Sequence, residues 1–165
     1  MKKTKSGFYL VENLFTKEQR KELINGSQPL LENLTNHPAE QSLAMQVGKG
    51  AYPQFKWAFD RFIDEAEKAT GDLLEWDSAG CWFARTNGKA KHVSWHRHPT
   101  EWVAVYYLKT FPMFSNGTLF EHGIEKAPQN SLLIFHGGLL HTPPRSPFSF
   151  DRYVMSMNWN LKPKP

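Results

Sequence analysis

Cysteine is nearly missing from this chain of 165 residues: Cys81 is the only one. A single cysteine closes no internal disulfide and builds no cysteine-rich zinc site, so it reads as a small buried strand residue. Long apolar runs are missing too. No window approaches the roughly 18 apolar residues of a membrane span. The N-terminal MKKTKSGFYLVENLF has lysines but no apolar core of a secretory signal. The chain is therefore expected to be soluble and cytoplasmic, and Asn33-Leu34-Thr35 and Asn116-Gly117-Thr118 carry no glycosylation meaning. There is also no concentrated charge. The net charge is +4, but Lys2, Lys3, Lys5, Lys162 and Lys164 sit at the ends and Lys89 and Lys91 flank a glycine turn. That spread is not a nucleic-acid footprint, so no polynucleotide partner is expected.

Internal repeats, low-complexity stretches and linkers are absent as well. What is present is a sequence that is 40% hydrophobic and 14% aromatic, enough for one core and one domain spanning 1–165. Residues 1–72 read as a helical N-terminal support. Phe8 to Val11 suggests a short strand. Thr16 begins a helix, with Gln19 completing a capping box and Gly26 as a stop. Ser27 to Gly50 reads as irregular, with at most a helical turn around Leu30 to Leu34. Pro53 opens the clearest helix, whose Phe55, Phe59, Phe62, Ile63 and Ala66 form one apolar stripe closed by Gly71.

From Leu73 the period changes to two, and residues 73–161 read as a β core. CWFART ends at Asn87-Gly88, a hairpin signal. VSWHRH, EWVAVYYL, GTLFEH, SLLIF and DRYVMSMNW follow, separated by Gly, Pro, Asn or Ser clusters. Short strands after two helices predict a mostly β fold with flanking helices, an antiparallel barrel or sandwich of the double-stranded β-helix (jelly roll) kind, with the helices on one side.

Candidate chemistry concentrates in WHRHPTEWVAVYYL. Residues two apart on a strand point the same way, so His96 and His98 aim at one place, and imidazoles bind divalent iron, zinc, copper or nickel. His141 follows the buried SLLIF run, where Gly137 and Gly138 permit a tight turn. On the last strand Arg152, Val154, Ser156 and Asn158 share one face and Tyr153, Met155, Met157 and Trp159 the other. The second set reads as packing. A buried arginine needs a partner, either an internal acid or a carboxylate-bearing ligand held by two parallel hydrogen bonds. His122 and His136 are weaker candidates.

This constellation resembles the iron(II)- and 2-oxoglutarate-dependent dioxygenases, in particular their small prolyl-hydroxylase-like and aspartyl/asparaginyl-hydroxylase-like branches. The resemblance covers roughly residues 80–160: His96-Arg97-His98-Pro99 before Tyr106-Tyr107-Leu108, then Pro128-Gln129-Asn130, the apolar strand with distal His141, and Arg152 in RYVMSMNWN. It implies an oxygenase that hydroxylates a protein side chain or small molecule, with dioxygen and 2-oxoglutarate as cosubstrates. It implies iron(II) on His96, His98 and His141, and 2-oxoglutarate held by Arg152 with Ser156 and Tyr107. His98 stands where the family has a carboxylate. Either three histidines are the ligands, or Glu101 or Glu121 contributes, or the metal has two protein ligands. Trp82, Trp95 and Trp102 would line a substrate mouth or simply pack.

Two other readings stay open at the level of sequence. His96, His98, Glu101 and His141 also approach the three-His, one-Glu arrangement of cupin metal enzymes that do not use 2-oxoglutarate. A non-catalytic jelly-roll binding module would need no metal at all.

Overall fold

The protein is described by a computed structural model covering residues 1–33, 40–42, 46–86, 93–111, 116–145 and 150–165. Eleven strands and two α-helices follow one another among these residues: β1 (Lys2–Lys3), β2 (Tyr9–Val11), α1 (Lys17–Ser27), β3 (Leu31–Asn33), β4 (Glu40–Ser42), α2 (Lys56–Thr70), β5 (Gly80–Thr86), β6 (Trp102–Lys109), β7 (Thr118–Phe120), β8 (Gly123–Glu125), β9 (Leu132–His136), β10 (His141–Thr142) and β11 (Arg152–Trp159). They form an eight-stranded sheet in the order β1-β2-β9-β6-β11-β5-β4-β3 and a three-stranded sheet in the order β10-β7-β8. The pairings between these strands are antiparallel.

Local chemistry sets the start of α1 and the end of α2, but Gly26 does not stop α1 as expected: the helix runs through it to Ser27 and on into a 3-10 turn over Gln28–Leu30. At α1 the Thr16 side chain accepts from the Gln19 amide at 3.2 Å while Gln19 Oε1 accepts from the Thr16 amide at 2.9 Å, closing the expected capping box. A 3-10 turn over Pro53–Phe55 leads into α2, which ends at Gly71 with φ 75°; that left-handed cap is the conformation glycine adopts without strain. Phe55, Phe59, Phe62 and Ala66 are buried as the stripe predicts, and Ile63 packs at its edge.

Period-two alternation then divides the large sheet into two faces. Cys81, Phe83, Ala104, Tyr106, Leu108, Tyr153, Met155, Met157 and Trp159 face α1 and α2. Trp82, Ala84, Val103, Val105, Tyr107, Leu133, Phe135 and Val154 form the opposite core with Phe120 of the small sheet. One layer of helices thus covers one face, and the small sheet covers part of the other. Cys81 is buried, which pushes its thiol pKa up and leaves it protonated and inert.

Several segments depart from the sequence reading. VSWHRH is not a strand: its ladder pairing is a single bridge, His96 to His141. β5 pairs with β4 and β11 instead, and Asn87-Gly88 lies outside the described residues. The GTLFEH segment stops as a strand at Phe120 and turns into β8. The stretch after Ser27, expected to be irregular, contributes β3 and β4 to one edge of the large sheet. Residues 1–72, read as helical support, supply four strands of that sheet in addition to both helices.

Candidate metal centre and its cavity

The uncovered part of the sheet's second face opens into a cavity of about 580 Å³, lined among others by Trp82, His96, His98, His141, Thr118, Arg152, Ser156 and Asn158. Two segments bring the histidines to it. His96 and His141 exchange backbone hydrogen bonds, each amide donating to the other's carbonyl at 3.0 Å. A regular antiparallel ladder from that pair would set His98 opposite Leu139. Instead the Leu139 amide folds back to the His136 carbonyl (3.2 Å), and the His98 amide donates to the Gly137 carbonyl at 2.9 Å. The slip requires close backbone contact: a Cβ on Gly137 would lie 2.1 Å from the Thr100 carbonyl oxygen.

The outcome is a cluster of His96, His98 and His141 whose ligand nitrogens all lie within 4.8 Å of one another. Ring centroids are 4.5 Å apart for His96 and His141, 5.1 Å for His98 and His141, and 5.3 Å for His96 and His98. His96 Nδ1 lies 2.9 Å from the Ser94 carbonyl and His141 Nδ1 lies 2.8 Å from the Leu139 carbonyl. A carbonyl only accepts, so each Nδ1 carries the proton and each Nε2 keeps a lone pair; metal-ligating histidines are oriented in this way. Burial, the main cause, pulls the pKa of both His98 and His141 down to about 4, with the neighbouring rings adding to the effect. Both are neutral near pH 7, the form that binds a cation. The donor set therefore fits a divalent transition metal.

The carboxylates considered from sequence are elsewhere. Glu101 Oε2 accepts from the Leu161 amide at 2.7 Å and the Glu101 amide donates to Asn160 Oδ1 at 2.9 Å, which ties the chain's end to the start of β6. Glu121 is exposed in the turn between β7 and β8. Among the described residues the cluster holds three histidines and no acid. His136 packs against Trp102 (3.9 Å between centroids, rings tilted by 30°) and His122 Nε2 donates to Glu125 Oε1 at 2.9 Å, so neither joins the site.

Arg152 enters from β11 at 5% exposure, with its Nη2 donating to the Gly117 carbonyl at 3.1 Å. Desolvation draws its pKa down while Tyr107 opposes the shift. The guanidinium carbon sits 5.5 Å from the centre of the Tyr107 ring, a cation–π geometry. Tyr107 itself stands behind the wall: its hydroxyl shares a 2.6 Å hydrogen bond with Thr118 Oγ1, and Thr118 lines the cavity. Burial pushes the Tyr107 pKa up to about 12. Ser156 and Asn158 line the cavity on the same strand face as Arg152. Thr118 was missed in the sequence, where Asn116-Gly117-Thr118 looked like an empty glycosylation signal. Its only sequence cue was the glycine before it, which takes φ 109° and has no room for a side chain, since a Cβ would lie 1.9 Å from the Glu125 carbonyl oxygen. Trp95 is 43% exposed, while Trp82 is buried and lines the cavity 6.0 Å from the His98 ring.

No protein-family model and no curated protein matches the sequence. Solved structures do. A prolyl-4-hydroxylase from Pseudomonas putida superposes with a TM-score of 0.68 at 15% identity, over 95% of this chain and 94% of that one. HygX from Streptomyces hygroscopicus, solved with nickel, 2-oxoglutarate and hygromycin B bound, gives 0.66 at 10% identity over 94% and 83%. A prolyl hydroxylase from Trichoplax adhaerens, in complex with a hypoxia-inducible-factor peptide fragment, gives 0.63 at 16% identity over 94% and 84%. With two helices on one side of antiparallel sheets and a histidine cluster in the cavity on the other, the chain has the fold of the iron(II)- and 2-oxoglutarate-dependent oxygenases.

Proposed function

We propose that this chain is a 2-oxoglutarate-dependent oxygenase that hydroxylates a peptide, protein or small-molecule substrate. The observation that carries the reading is the convergence of three imidazoles and the buried Arg152 on one cavity. In this reading residues 1–165 form one domain, the two sheets make a double-stranded β-helix, and residues 1–72 support the core of 73–161 with both helices and four outer strands of the large sheet. His96, His98 and His141 hold iron(II) through Nε2 or the corresponding free nitrogen. When bound, iron(II) with 2-oxoglutarate and dioxygen supplies a two-electron oxidation of a substrate C–H bond, coupled to release of carbon dioxide.

The chain's own residues bind and orient. The Ser94 and Leu139 carbonyls fix the tautomers and ring planes of His96 and His141. Arg152 offers a planar fork for the distal carboxylate of 2-oxoglutarate, an arrangement that suits a carboxylate better than lysine would. Ser156 offers a hydroxyl from the same strand face. Tyr107 acts from behind, supporting the guanidinium with its ring and Thr118 with its hydroxyl. Trp82, Val105 and Val154 exclude water from the inner wall. The nickel, 2-oxoglutarate and hygromycin B bound in HygX, and the peptide bound in the Trichoplax enzyme, support the choice of a divalent metal with 2-oxoglutarate and both substrate classes.

Turnover of 2-oxoglutarate to succinate by the iron-loaded protein tests the proposal. Arg152→Ala is expected to raise the KM for 2-oxoglutarate about a hundredfold or more, since removing one member of a buried charge pair costs about 3–5 kcal/mol. An unchanged KM would refute the assignment.

A further inference from the structure

The reaction proposed above gives Asn158 no role, although it lines the cavity. Alternation puts its side chain on the face of β11 that carries Arg152, and the strand register places it at the histidine end. Asn158 pairs with Val103, Val103 pairs with Phe135, and the Phe135 ring lies 4.9 Å from the His141 ring. One rung nearer Arg152, Ser156 pairs with Trp82, whose ring lies 6.0 Å from that of His98. Arg152 itself is six residues away along β11, roughly 20 Å of extended strand. With the Arg152 end assigned to 2-oxoglutarate, the Asn158 end is left for the compound to be oxidised.

The half-buried Asn158 carboxamide has two poles to offer, an oxygen that accepts and an NH2 that donates. No described residue hydrogen-bonds to it, whereas the hydroxyl of Thr118 is taken up by Tyr107. Trp82 and Val105 stand on the neighbouring rung and give it an apolar flank. An anion or an ether would satisfy the NH2 and set lone pairs against the oxygen. A hydroxyl is a single atom and reaches one pole well. Both poles are matched at once by an N–H beside a C=O, which a primary carboxamide presents on one edge. A residue of an extended peptide does the same, as in the hydrogen-bonded pairs of an antiparallel ladder. We infer that Asn158 sets the specificity for the prime substrate: an apolar body whose N–H and C=O pair with this carboxamide, as a free amide or as one residue of a peptide. The inference rests on the oxygenase reading and narrows its substrate class.

The test uses the full chain loaded with nickel(II), which holds the site without turnover, and with 2-oxoglutarate. Two matched probe pairs are titrated calorimetrically. The first is 3-phenylpropanamide against methyl 3-phenylpropanoate. The second is N-acetylphenylalanine dimethylamide against the analogue in which an ester oxygen replaces its single N–H. The amide of at least one pair is expected to bind about fivefold to a hundredfold more tightly, because the ester leaves the Asn158 oxygen unpaired against a lone pair. The pair that discriminates tells a free carboxamide from a peptide. Asn158→Leu, close in volume, removes both poles and should bring the preference close to unity; Asn158→Val, whose branched side chain suits a strand, serves the same end if the first variant does not fold. Equal binding within both pairs, no binding of either amide, or a preference that survives the loss of the carboxamide overturns the inference while the oxygenase reading stands. Failure of nickel or 2-oxoglutarate to bind at all overturns both.

Discussion

At the scale of single residues, the site depends on backbone groups as much as on the side chains that face the cavity. His98 is placed by its amide bond to the Gly137 carbonyl, and Gly137 fits only because it lacks a Cβ where the Thr100 carbonyl passes. Gly137→Ala forces backbone against backbone, a strain of about 1–3 kcal/mol by analogy with overpacked cores. It is expected to lower the thermal midpoint and to weaken metal binding about tenfold, read by competition with a chromophoric chelator. Unchanged metal affinity would mean that His98 is positioned by something other than this turn. Thr118 holds an equivalent place beside Arg152, where its hydroxyl meets Tyr107, whose ring lies against the guanidinium.

At the scale of elements, β11 organises the molecule because its two faces do different work. Tyr153, Met155, Met157 and Trp159 enter the helix-side core, while Arg152, Val154, Ser156 and Asn158 line the cavity. The alternation was legible because β11 is central, flanked by β5 and β6, so both of its faces are covered and each residue's side is fixed. The capping box of α1 and the stripe of α2 were legible for the same kind of local reason. The stripe carries a prediction of its own. Phe59 is fully buried between α2 and the sheet, so Phe59→Ala should cost about 3–5 kcal/mol in chemical denaturation, without changing which metal the folded protein takes up. A loss below about 1 kcal/mol would show that α2 is not part of the main core.

The short elements were not legible, and the reason is physical. β8, β10, β3 and β4 have two or three residues each, too few for a period to emerge, and their pairing is set by distant partners. VSWHRH misled in the opposite way. Its alternation is real, but its hydrogen bonds go to an irregular turn at 136–141, and the histidine pair converges through that turn rather than through a strand. His141 was legible as a distal partner. The exclusion of Glu101 was not, because nothing in the sequence shows that its carboxylate is spent on the Leu161 amide.

At the scale of the whole molecule, a helix-backed sheet presents a cluster of three histidines and a buried guanidinium to one cavity, and the second sheet closes part of it. No described helix is long and apolar enough to cross a membrane. Most of the largest buried aromatic residues, Trp159, Tyr106, Phe55, Phe59, Phe62 and Phe83, cluster on the helix side, while Tyr107 and Phe135 stand behind the polar lining on the other. The central claim, that one cavity holds a metal on three histidines together with 2-oxoglutarate, is tested most directly by anaerobic iron(II) titration followed in the visible spectrum. The predicted result is uptake of about one iron per chain, with a metal-to-ligand charge-transfer band that appears only when 2-oxoglutarate is also present. Iron uptake with a spectrum indifferent to 2-oxoglutarate, or no uptake at all, would contradict it.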